Sequence, residues 1–218
     1  PYDNDYANYI TLKDVFFEKG SYNDGSPSEY GLYAPRHSKC VTKNLQFDNV
    51  LYGFFAKVLF LNQHINFTSV SGSVNGVHQG KIGMMVYDGE DKMTGTSNLF
   101  ERFLFVNYQQ AFEIQNLQTS RFAHCYGEAI SRNGGADDTQ VFFINNPYNL
   151  HFDCCGMEGT KGAPLYIAST DTGNPSRSVT FTGFQARWGI GGTTTDKGIN
   201  AVTVAGNDLR VTFDNSTV

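Results

Sequence analysis

Positive charge is scarce in this chain. Its 16 Lys and Arg stand against 21 Asp and Glu, for a formal net charge of −5 over 218 residues. A nucleic-acid-binding protein would instead gather Lys and Arg on one face, so no nucleic-acid partner is expected. No apolar run approaches the ~20 residues of a membrane span. Leucine is outnumbered, 12 to 18, by phenylalanine, and Trp occurs once. The Ala-, Leu-, Glu- and Lys-led composition of helical proteins is missing, which leaves strands and turns and predicts an all-β fold. With 40% hydrophobic and 17% charged residues the chain is not a disordered one, and its length predicts a single domain over residues 1–218. No charged-then-apolar leader follows Pro1, and 211–215 reads as a strand cut in mid-pattern, so a piece of a longer polypeptide is expected.

What the chain does have is one strand motif, repeated. Residues 10–15, 45–50, 65–70, 103–108, 120–125, 150–155 and 179–184 share an apolar–polar–apolar pattern followed by polar or small residues and an apolar one. Most have Phe at the third position, at 47, 67, 105, 122, 152 and 181, with intervals of 20, 38, 17, 30 and 29 residues. The interval of 38 reads as two turns of a coil, because the strand-like segment 82–86 lies inside it. A fixed motif at a variable period is the mark of a solenoid whose loops grow at particular corners. Alternation then predicts inward columns. The first is Ile10, Leu45, Ile65, Phe103, Leu150 and Val179, broken by Ser120. The second is Leu12, Phe47, Phe67, Phe105, Phe122, Phe152 and Phe181. The third holds Val15, Val50, Val70, Tyr108, Cys125, Cys155 and Phe184. Segments 88–98, 131–138 and 169–177 are expected as corner insertions.

The aligned strands, the Phe-rich ladder and the Asn, Ser or Gly after each first strand resemble the right-handed parallel β-helix of the pectate-lyase-like superfamily. Within it the chain is similar to the shaft of bacteriophage tailspikes and capsule depolymerases, from about Ile10 to Phe213. That resemblance implies a solenoid of about seven or eight coils, a homotrimer of side-by-side β-helices, and binding and depolymerisation of a host capsule or O-antigen. It also implies a place in the virion tail after assembly in the bacterial cytoplasm. Two other readings stay open: a non-catalytic structural or receptor-binding β-helix, and a monomeric secreted polysaccharide lyase or hydrolase. An apolar stripe on one outer face separates oligomer from monomer, and outward Leu104, Val106 and Ala123 suggest one.

Cys125 and Cys155 fall in an inward column and read as small buried residues. The four cysteines lack the paired short spacings of zinc ligands. Residues 88–91 lack the spacing and closing Glu of a calcium loop, so neither metal nor cofactor is expected. Hydrolysis of a glycosidic bond needs two carboxyl groups flanking it, whereas a lyase needs a cation and a base. Outward polar chemistry concentrates at Arg121, His151 and Asp153, with Glu128 and Glu158 on neighbouring segments and His124 at a turn. Glu113, between Phe112 and Ile114, is the other candidate carboxylate. Aromatic faces for sugar stacking are expected from Tyr126, Tyr148 and Trp188, with Tyr52 and Tyr166 as further candidates.

Overall fold

The structure, a computed structural model, describes residues 7–18, 28–74, 77–87, 93–130, 140–160, 163–170, 177–188, 202–206 and 208–217. These residues form strands and turns without a helix, and 21 of their strands join one sheet. Every pairing within it is parallel. Thr11–Glu18 pairs with Val41–Asp48, that strand with Gln63–Val70, and Gln63–Val70 with Leu99–Val106. The ladder continues through Arg121–Ala123, Tyr148–Asp153, Arg177–Thr182 and Leu209–Asp214. A second ladder runs from Ser28–Ser38 through Val50–Phe60, Gly80–Val86, Tyr108–Gln115 and Gln140–Asn145 to Ala163–Ser169 and Val202–Gly206. Each strand therefore hydrogen-bonds to strands a full turn of chain away, an arrangement consistent with a parallel β-helix; one turn is called a rung below. One small antiparallel pair, Ser73–Val74 with Val77–His78, stands apart from the sheet.

Left-handed residues at aligned positions turn each rung. The first bend is made by Asp14, Asn44, Asn66, Arg102, His124, Cys154, Gly183 and Asn215, all with φ between 46° and 62°. Asn49, Asn107 and Ala129 turn the next corner, and Asn116 and Asn146 another. Asn, Asp and Gly tolerate this conformation best, which accounts for the Asn-rich composition.

Inside the first ladder one column reads Leu12, Thr42, His64, Phe100, Phe122, Phe152, Phe181 and Phe213. The rings of Phe100, Phe122, Phe152, Phe181 and Phe213 stack in sequence at centroid distances of 4.7, 4.6, 5.0 and 5.0 Å. Such ring pairs add roughly 0.5–1.5 kcal/mol each beyond area burial. The expected alignment of Phe122, Phe152 and Phe181 agrees with this column. Upstream it slips by two or more residues. Phe67 lies opposite Leu45 and Phe103, while Phe47 and Phe105 both lie opposite Ser69. Leu12 lies opposite Thr42, and Phe17 opposite Phe47. The 38-residue interval hides no additional rung, because Gln63–Val70 pairs directly with Leu99–Val106. Segment 82–86 belongs to the second ladder of the rung that Gln63–Val70 begins. Ile10 is exposed, Ile65 is in register with Lys43 and Glu101, and Val70 with Asp48 and Val106, so these three leave the inward columns.

Small residues make room for the large ones. A Cβ on Gly53 would lie 2.6 Å from the Gly83 carbonyl and 2.8 Å from Cε1 of Phe105, so only glycine fits against that ring. Polar side chains close the bend that opens the first ladder. Cys40 N–H donates to Asn62 Oδ1 (2.9 Å), Asn62 N–H to Asn98 Oδ1 (3.1 Å) and Asn98 N–H to Ser120 Oγ (3.2 Å). Ser120 is thus the end of a buried ladder that satisfies backbone donors, not a break in an apolar column. Asn146 Nδ2 likewise donates to Asn116 Oδ1 (3.0 Å), and Thr170 N–H to Asn146 Oδ1 (2.8 Å). Cys40, Cys125 and Cys155 are free and buried, whereas Cys154 is free and exposed at its corner. Burial pushes the Cys155 thiol up, which suits a core residue.

The expected insertions are only partly seen. Residues 88–92, 131–139 and 171–176 lie outside the described residues, the acidic segment 88–91 among them. Gly95–Thr96 forms a short strand, and Ser169 and Arg177 belong to strands, so those insertions are shorter than expected. No described helix is long and apolar enough to cross a membrane.

Candidate functional site

The outer surface beside the first bend carries a cleft of about 380 Å³. The bend itself supplies Asn66, Arg102 and His124. Beyond it, alternation turns every second residue outward: Thr68, Leu104 and Tyr126 in one column, Val106, Glu128 and Glu158 in the next. Of these, Thr68, Leu104, Tyr126, Glu128 and Glu158 line the cleft. Glu128 and Glu158 are in direct register on neighbouring rungs, so their backbones are ~4.8 Å apart, and both side chains are exposed.

Arg102 is held in place from two sides. Its Nε donates to Asn66 Oδ1, and its Nη1 lies 2.5 Å from Glu101 Oε1. Asn66 Nδ2 donates in turn to Asn44 Oδ1 (2.8 Å), and Asn44 Nδ2 to Asp14 Oδ1 (2.7 Å). A ladder of amides along the corner therefore ends at the guanidinium. A cleft with two carboxylates, a cation, an imidazole and a phenol offers groups for acid–base work on a polar polymer lying along it.

The remaining expected residues divide among other faces. Arg121 and His151 are in register, and Arg121 Nε lies 2.5 Å from Asp153 Oδ2. These three form one group on two neighbouring strands before the bend, Arg121 and His151 exposed and Asp153 half-buried, separate from the lining of the cleft. Glu113 belongs to the second ladder, where it is half-buried. Burial pushes its carboxyl up, while a hydrogen bond from Gln115 Nε2 (2.7 Å) acts in the opposite direction. Tyr148 is half-buried and accepts from Arg177 Nη2 (3.4 Å), with the guanidinium carbon 5.3 Å from its ring centroid. Trp188 ends a strand, but its side chain lies outside the described residues.

Sequence reasoning did not single out Arg102 or Asn66. Alternation places Asn66 outward, where an amide is ordinarily just solvated, and both residues occupy the left-handed position of the bend. No common residue pattern precedes positions 44, 66, 102 and 124; what they share is the left-handed φ.

A different face carries the apolar surface. Tyr33, Phe55, Met85, Glu113, Phe143 and Tyr166 form one outward column of the second ladder. Tyr33 stacks on Phe55 at 5.4 Å and Phe143 on Tyr166 at 5.4 Å. The expected stripe at Leu104, Val106 and Ala123 is weaker, since Ala123 is only 8% exposed and Leu104 lines the cleft. Among the described residues no group of three or more His, Cys, Asp or Glu is placed to hold a metal ion. No family model matches the chain, and no curated protein or solved structure does either.

Proposed function

We propose that this chain is a right-handed parallel β-helix from a homotrimeric bacteriophage tailspike, carried on the virion tail. In this reading it binds a host bacterial surface polysaccharide and depolymerises it in the cleft around Glu128 and Glu158. The carrying observation is the pairing of these two carboxylates on adjacent rungs beside Arg102, His124 and Tyr126. A rung spacing of ~4.8 Å is close to the ~5–5.5 Å that separates the two carboxyl groups of a retaining glycosidase. One Glu would protonate the departing glycosidic oxygen while the other supports the anomeric carbon. A lyase is the second reading, favoured by Arg102 and His124 on consecutive corners, a cation beside a base. The trimeric part of the proposal rests on the aromatic column from Tyr33 to Tyr166, the apolar stripe a side-by-side assembly would cover.

The test is incubation with purified capsule and O-antigen polysaccharides, reading reducing ends and absorbance near ~235 nm, with light scattering for the oligomer. Reducing ends released by a trimer support the tailspike hydrolase, and absorbance gained alongside them selects the lyase. A trimer without products is a binding or structural spike, and a monomer removes the tailspike reading. Glu128→Gln is expected to lower turnover by ~10²–10⁴-fold with the oligomer unchanged. Asp153→Asn should have a smaller effect, because that carboxylate is engaged by Arg121. Full activity of Glu128→Gln would remove the assignment of this cleft.

A further inference from the structure

The eight residues of the first bend share one backbone conformation but not one chemistry. Asp14, Asn44, Asn66, Gly183 and Asn215 are of the types that accept a left-handed φ most readily, and His is also enriched there. Arg102 and Cys154 are the exceptions, and only Arg102 brings charge. At this corner an Asn would both relieve the backbone and extend the amide ladder from Asp14 through Asn44 and Asn66. An arginine placed where asparagine fits better points to a role outside the fold.

Its geometry indicates what that role is. With Nε engaged by Asn66 and Nη1 by Glu101, the outer end of the fork remains: Nη2 has no partner among the described residues, and Nη1 keeps a second N–H. Two N–H groups in that plane match a carboxylate end-on. Along the cleft, Arg102 lies one rung before Glu128 and two before Glu158, at the bend and four residues short of their column. An anion is repelled at the glutamate end and accepted only at the arginine end, which fixes the orientation of an acidic polymer in the groove.

We infer that Arg102 is the specificity residue of the cleft, taking the carboxylate of an acidic sugar on the bend side of the sugar unit between Glu128 and Glu158. This deepens the carbohydrate reading of the cleft and rests on it. The experiment measures binding of purified acidic capsular polysaccharides, native and after chemical reduction of their carboxyl groups, to the full chain and to R102N. The parent is expected to bind a native polymer ~10-fold or more tightly than its reduced form. R102N is expected to bind both forms equally weakly while melting a few degrees higher than the parent. Equal affinity of the parent for native and reduced polymer overturns the inference, as does full affinity in R102N. A lower melting temperature for R102N overturns the argument that asparagine fits this corner better. If the parent binds none of the polymers, the carbohydrate reading fails first, an outcome distinct from loss of the carboxylate preference alone.

Discussion

One interior column changes character along its length. From Phe100 to Phe213 it is an unbroken pile of phenyl rings, whereas the three preceding places hold Leu12, Thr42 and His64. His64 is fully buried, stacks on Phe100 at 5.3 Å and shares a 2.8 Å hydrogen bond with Thr42 through Nδ1. Its Nε2 has no partner among the described residues, and neither does Nδ1 of the neighbouring His37. Burial and the nearby His37 push the His64 imidazole down to about 3, and burial also lowers His37. The same geometric slot is thus filled by dispersion and ring contact at one end and by neutral hydrogen-bonding groups at the other. An inward position demands a neutral side chain more than it demands hydrocarbon.

Two substitutions separate the two ends of this column, and a third probes the buried polar ladder beside it. The largest effect is expected from Phe152→Ala, which removes a ring stacked on both sides. A loss of about 3–5 kcal/mol should appear in denaturant titration, and a loss under 1 kcal/mol would contradict the tight stack. Next comes pH dependence at the polar end. Between the ordinary imidazole value of 6.5 and the folded value of about 3, the unfolded chain binds a proton that the folded chain does not. Stability therefore falls as the pH drops below about 6.5 and continues to fall toward 3. His64→Phe should remove much of that slope, so that at pH 5 the variant gains ~2 kcal/mol on the parent relative to their difference at pH 7. Parallel stability–pH curves for the two proteins would show that His64 is not the group responsible. The smallest effect belongs to Ser120→Ala, which deprives Asn98 N–H of its acceptor at one end of the buried ladder. About 1 kcal/mol is expected, with faster hydrogen exchange at Asn98 as the local signature.

The fold class was legible because alternation and a repeated motif require little beyond periodicity. Register was less so, for a definite reason. A side chain's face depends on odd or even position, so a two-residue slip such as Phe47 against Phe67 leaves both pointing inward and is invisible to alternation. The expected pairing agreed with the structure in the downstream rungs, for Phe122, Phe152 and Phe181 and for Leu150 with Val179. The candidate cleft was half legible. Glu128, Glu158 and Tyr126 carry readable chemistry on readable strands, and His124 is readable at a turn. Arg102 and Asn66 occupy a corner whose left-handed backbone resets the alternation, and Asp153, chosen by its column, is drawn to Arg121 instead.

The bend that places Asn66, Arg102 and His124 has one more property. Its residues point away from the interior, and their backbone hydrogen bonds run to the next rung, as from His124 N–H to the Asp153 carbonyl. Side-chain identity there is thus decoupled from the packing of the rings inside. The groove is graduated like a ruler, at ~4.8 Å per division, its marks linked only to their neighbours along the bend. Substitution at the bend can therefore change the outer surface one division at a time, leaving the stacked phenylalanines untouched.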